Sequence, residues 1–130
     1  MTTLDFLFRV EHRAGKTVPT HLHRCCELVY YVSGRGHTRI GSNDIPFENG
    51  TFALIRPHTP HDERRTETSD IICVGFTAAG DAPTMPEGVF RDADGTLLPL
   101  LERMLDEIAE KLSLTPTLTP LFSIKWNVMA

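Results

Sequence analysis

Residues 15–34 read GKTVPTHLHRCCELVYYVSG, and residues 50–61 read GTFALIRPHTPH. The first stretch has the spacing G-x5-H-x-H-x3-E-x6-G, set by Gly15, His21, His23, Glu27 and Gly34. The second runs from Gly50 to a histidine, His61. His21 and His23 are two residues apart, so on a strand both side chains leave the same face. Glu27 follows the short connector Arg24-Cys25-Cys26, and a hairpin there would return its carboxylate beside the pair. His61 has to arrive from a distant strand. Three neutral imidazoles and one carboxylate suit a borderline divalent transition metal and leave positions open for water or substrate. Zn, Ni, Fe and Mn all accept this donor set, so the identity of the one expected metal stays open.

Outward from these stretches the first three-fifths of the chain reads as β. Apolar or alternating runs recur at Leu4–Val10, Leu28–Val32, His37–Ile40, Phe52–Ile55 and Ile71–Phe76. Turn residues lie between them: Gly15, Gly34-Arg35-Gly36, Gly41-Ser42-Asn43-Asp44, Glu48-Asn49-Gly50 and Pro57 to Pro60. Short strands about ten residues apart point to an all-β sandwich or barrel. From residue 79 to 95 the composition shifts to Ala, Gly, Pro and Asp, which predicts a loop or lid. A helix is expected over 96–112. Leu97, Leu98, Leu101, Met104, Leu105, Ile108, Ala109 and Leu112 form its apolar stripe, with Thr96 as N-cap and Pro99 in the first turn. The stripe is expected to pack on the barrel or on a second subunit. The tail, 113–130, breaks at Thr-Pro pairs and then exposes apolar residues, as interfaces do.

Composition narrows the function. The 130 residues suit one domain. Thirteen Lys+Arg against seventeen Asp+Glu leave a formal charge of -4, and no basic block stands out, so no direct grip on nucleic acid is expected. No apolar run approaches the ~18 residues of a membrane span, and the N-terminus lacks the pattern of a signal peptide. Three cysteines, two of them adjacent, argue against a disulfide framework and for the cytoplasm.

At every defining position of its first motif the chain resembles a cupin: Gly15, His21, His23, Glu27 and Gly34. The second motif is looser. Gly50, Pro57 and His61 match it, with the proline one place late, while His58 stands where a glycine is common and Arg65 where the motif has Asn. The resemblance covers residues 5 to 78 and implies a double-stranded β-helix, the jelly-roll barrel, followed by an amphipathic helix. It also implies His21, His23, Glu27 and His61 as metal ligands. Within cupins the wording is most similar to the N-terminal sensing and dimerisation domain of AraC-type transcriptional regulators. That implies a small-molecule ligand and a homodimer, without the DNA-binding helix-turn-helix units. The alternative is a small metal-dependent enzyme, a dioxygenase or isomerase. The sequence offers it no clear general base beyond Asp62, Glu63 or a tyrosine.

Other residues extend the site. Tyr30 and Tyr31 leave opposite faces of one strand, so one of them lines the interior. An arginine pointing inward would bind a carboxylate through its fork. Arg56 and Arg64 flank the second motif, and Tyr31, Arg39, Arg56 and His58 are the candidate ligand-binding residues. His12 and His37 are expected at the surface or rim, Cys73 in the core, and one of Cys25 and Cys26 in the core with the other exposed.

Overall fold

Burial alternates along the strands, and this alternation builds two antiparallel sheets with a shared interior. The computed structural model describes residues 2–78 and 85–114, with backbone alone for 78 and 112–114. One sheet contains β1 (Thr2–His12), β8 (Ser69–Ala78), β3 (Cys26–Ser33), β6 (Thr51–Ile55) and β9 (Gly88–Arg91), in that order. The other contains β2 (Thr17–His21), β7 (His61–Arg65), β4 (Gly36–Ile40) and β5 (Asn43–Phe47). Phe6, Val29, Tyr31, Ile55, Ile71 and Cys73 of the first sheet meet Ile40 and Phe47 of the second in one buried cluster. This is the expected jelly-roll barrel.

The opposite face of the five-stranded sheet is also apolar. Leu7, Tyr30, Ile72 and Val74 turn outward there, and α1 (Leu97–Leu114) covers them. Leu101 is the buried centre of the contact, with Leu97, Leu98, Met104, Leu105 and Ile108 around it. The helical stripe therefore packs on the chain's own barrel. Fully burying one such leucine contributes ~1.5–3 kcal/mol.

Three expectations about this region need correction. Gly88–Arg91 is not loop: β9 pairs with β6 and adds an edge strand. Thr96 is not the side chain that caps the helix. Asp92 reaches in from the end of β9, and its carboxylate accepts the N–H groups of Leu97 and Leu98 at 3.2 and 3.3 Å. It accepts the Tyr30 hydroxyl as well, at 2.7 Å, so helix and sheet share one anchor. The helix also runs past 112 to Leu114. The apolar tail lies outside the described residues from 115 onward, as do residues 79–84 of the expected lid.

Close backbone approach explains the glycine at 34. Its φ is +110°, and a Cβ there would fall 2.4 Å from the Ser69 Cβ. A side chain at this position would push β8 away from the turn before β4.

Candidate metal centre

The four motif residues come from three strands and one connector. His21 ends β2 and pairs with His61, which opens β7. Glu27 is the second residue of β3. The expected hairpin between the histidines and Glu27 is absent: β2 and β3 lie in different sheets, and residues 22–25 cross between them. Glu27 therefore faces the histidines from across the interior. His23 sits in the crossing, outside the strand. The His58 N–H donates to the His23 carbonyl at 2.7 Å and ties the crossing to the loop before β7. His58 has φ +66°, so it takes the left-handed turn that a glycine would take at this motif position.

One ligand atom from each of His21, His23, Glu27 and His61 lies within 4.8 Å of all the others. His21 Nδ1 donates to the Pro19 carbonyl at 2.7 Å, and His61 Nδ1 to the Thr59 carbonyl at 2.9 Å. A carbonyl only accepts, so both rings carry the Nδ1 proton and turn the Nε2 lone pair inward. His61 Nε2 then lies 3.0 Å from Glu27 Oε1, and His23 Nε2 lies 3.7 Å from Glu27 Oε2. Lone pairs facing a carboxylate in a buried setting need a proton or a cation between them. Burial lowers the His23 pKa against the pull of Glu27. Burial acts on His61 too, but its contacts with Glu27 and the Thr59 carbonyl outweigh it and hold that pKa above the ordinary value. His23 Nε2 and His61 Nε2 are both buried without a hydrogen-bond partner. The residues present fit a divalent cation.

A cavity of about 40 Å³ opens beside the cluster, and His12, Glu63 and Cys73 are in its wall. Behind it lies a buried polar network, in which Arg65 Nη1 alone has no partner. Arg65 Nη2 donates to Glu63 Oε1, the Tyr31 hydroxyl donates to Glu63 Oε2 at 2.7 Å, and Arg65 Nε donates to Ser69 Oγ at 2.7 Å. Burial holds the Glu63 carboxyl above the usual range, opposed by Tyr31 and Arg65.

Of the two tyrosines, Tyr31 is the interior one; Tyr30 faces α1. Tyr31 spends its hydroxyl on Glu63. The arginine expectations change. Arg39 lies on the solvent face of β4 and pairs with Asp62 at 3.0 Å. Arg56 is exposed and donates to the Met85 carbonyl. Arg64 is exposed and pairs with Asp44. The inward arginine is Arg65, and the carboxylate it meets, through Nη2 alone, is the chain's own Glu63. His58 contributes its backbone, while its side chain is exposed. His12 is not a rim residue: it is 8% exposed, with Nδ1 buried and unpartnered. His37 is exposed as expected, and Cys73 is buried. Cys25 and Cys26 are both buried, against the expected split. Burial pushes the Cys25 thiol up to about 11 and Cys73 well above the ordinary value, so neither is a thiolate at neutral pH.

Sequence reasoning missed Glu63 and Arg65 as interior residues. The available signal was parity, because 61, 63 and 65 share one face of any strand that begins at His61.

The cupin domain model matches residues 8–75, more than half of the chain and all four clustered residues. The chain is a cupin. No curated protein matches it. Solved structures show similar folds at low identity. A conserved protein of unknown function from Streptococcus pyogenes is 15% identical with a TM-score of 0.54, over 57% of this cupin and 65% of that chain. A predicted oxalate decarboxylase from Thermotoga maritima is 18% identical with a TM-score of 0.54, over 58% and 68%. A variant of the salicylate 1,2-dioxygenase from Pseudoaminobacter salicylatoxidans is 14% identical with a TM-score of 0.51, over 53% of this cupin and 20% of that enzyme. This cupin thus spans under two thirds of the first of these chains and about a fifth of the enzyme. No described helix is long and apolar enough to cross a membrane.

Proposed function

We propose that this cupin holds one divalent transition metal on His21, His23, Glu27 and His61 and binds a small molecule at it, as a ligand-sensing domain of the AraC type. One observation carries the metal reading: two buried imidazole nitrogens, on His23 and His61, converge on Glu27 with no hydrogen-bond partner. A bound cation would satisfy both and would supply an open coordination position for an oxygen or nitrogen ligand. The sensing reading draws on the wording of the two motifs and on the helix that follows the barrel. In this reading the protein works as a homodimer.

The enzyme reading, a dioxygenase or isomerase, draws on the same donor set. The interior carboxylate outside the cluster speaks against it. Both oxygens of Glu63 are engaged, by Arg65 and by Tyr31, so Glu63 is not a free general base. Tyr31 is engaged in the same pair.

The deciding experiment is metal content by mass spectrometry, on protein purified without a metal-affinity column. About one transition metal per chain is expected for the wild type and far less for His61→Ala, with thermal stability falling alongside. Wild-type protein that takes up no metal, even when metal is added back, would sink the reading. Steady consumption of a bound small molecule at more than about 1 per second would favour the enzyme.

A further inference from the structure

We infer that a second small-molecule site lies at the end of the barrel away from the four-residue cluster, in the groove between β5 and β9, and that it takes a flat apolar ring acid with one negative charge, the ring between the sheets and the carboxylate on Arg35. The site stands apart from the metal reading above and does not depend on it.

Place comes first. β4 runs from Gly36 to Ile40, and Ile40 is the residue that pairs with His61. Gly36, at the other end, pairs with Phe47 of β5. β5 is the last strand of one sheet and β9 the last strand of the other, and the two are not paired with each other. The sheets stay apart here and leave an open groove of about 570 Å³. Small-molecule sites commonly hold ~300–1,000 Å³. None of His21, His23, Glu27 and His61 lines this one.

Polarity comes second. Ile45 and Phe47 of β5 and Val89 of β9 line the groove and pack with the barrel core. Facing apolar walls suit a flat ring. The hydroxyls of a sugar would go unpaired against them. The rim is cationic. Arg35 and His37 are exposed there, and neither side chain has an ion pair among the described residues. The Arg35 carbonyl accepts the N–H groups of Thr66 at 2.9 Å and Glu67 at 3.3 Å, so its guanidinium is offered from a fixed turn. Arg91 lines the rim too, but it is already paired with Glu48. One permanent positive charge is therefore left unneutralised, and its planar fork matches a carboxylate. A doubly charged phosphate would bring more charge than the rim balances.

An added β-strand is the rival occupant, since β5 and β9 are both free edges. Pro46 lies within β5 and removes a donor from that edge. A strand laid there would lose a ladder bond, whereas a small molecule needs none.

1-Naphthoate and 1-naphthamide test this, because they share a ring and only the first is charged. Calorimetry should give the wild type a Kd for naphthoate below about 1 mM, with naphthamide weaker. Arg35→Gln should cut naphthoate affinity about threefold to tenfold, the range of one hydrogen-bonded contact, and leave naphthamide unchanged. A wild-type readout gives the position: naphthoate should shift the backbone amide signals of Gly36, Phe47 and Val89 in the NMR spectrum, with metal chelated and with one equivalent of Zn(II) alike. Equal binding of the two compounds, or naphthoate affinity unchanged in Arg35→Gln, overturns the inference. So do shifts confined to the residues around His21 and His61, which would put the acid at the cluster instead, and so does a wild type that binds neither compound.

Discussion

Replacing Arg65 with Met should destabilise the fold more than most single substitutions, because the change strands a charge. The Arg65 side chain has no exposure and that of Glu63 is 8% exposed. Glu63 gives one oxygen to Arg65 and the other to the Tyr31 hydroxyl. Arg65→Met leaves a buried carboxylate with one neutral donor, and frees Ser69 Oγ as well. Breaking a buried pair from one side costs about 3–5 kcal/mol. A domain of this size commonly has about 5–15 kcal/mol in total. The melting temperature should therefore fall by about 10–20 °C. Removing both charges, as Glu63→Leu with Arg65→Met, should recover at least half of the loss, since the uncompensated charge goes with its partner. The Tyr31 hydroxyl then lacks an acceptor, which keeps the recovery short of complete. Urea unfolding of the wild type, both single variants and the double variant closes the cycle. An Arg65→Met protein within about 1 kcal/mol of wild type, or a double variant less stable than Arg65→Met, would refute the reasoning.

Three further outcomes follow from the same interior. His12 has a folded pKa near 4, below its unfolded value of about 6.5; the stability its neutral ring contributes is present above about pH 6.5 and lost as pH falls toward 4. Urea midpoints across that window should fall further for the wild type than for His12→Leu, and equal slopes would count against a buried neutral imidazole. Asp92→Ala removes the acceptor for two helix N–H groups and for Tyr30, so helical circular dichroism should melt earlier, with Asn at 92 restoring part of the loss. Gly75→Ala places a Cβ 2.0 Å from a Phe6 ring carbon in a fully packed core. It should cost about 1–3 kcal/mol, and thermal denaturation should show Phe6→Leu rescuing it.

Much of the barrel was legible from its apolar strands, and spacing put His21 and His23 on one face, while Glu27 and His61 joined them through the cupin resemblance. The parts that were not legible share one cause: periodicity detects strands through apolar residues. β7 reads HDERR and has no apolar residue, although its inner face is buried. β2 and β5 are edge strands, each with a proline, Pro19 and Pro46, where an unpaired N–H costs nothing. β9 has four residues within a stretch rich in turn formers. The crossing between His21 and Glu27 was misread as a hairpin because a short polar connector looks the same whether it joins neighbours or changes sheets. His12 was misread because a single histidine at a strand end carries no sequence signal of burial.

β7 also shows why the site and the stability of this cupin are tied together. His61, Glu63 and Arg65 point inward from alternate positions, about 6.6 Å apart per step. A polar inner strand is costly unless each group finds a partner. Glu63 and Arg65 find partners in each other, in Tyr31 and in Ser69, with only Arg65 Nη1 left over. His61 has its Nδ1 fixed by Thr59 and its Nε2 left open, and His12 leaves a nitrogen open on the opposing sheet. His61 and His12 border the cavity, and Arg65 Nη1 behind them is a further buried donor without a partner. A strand that served stability alone would have carried apolar residues at these three positions, because such replacements are neutral or stabilising in comparable cores. The polarity of β7 is better accounted for by the chemistry it presents at the cavity than by the fold it holds together.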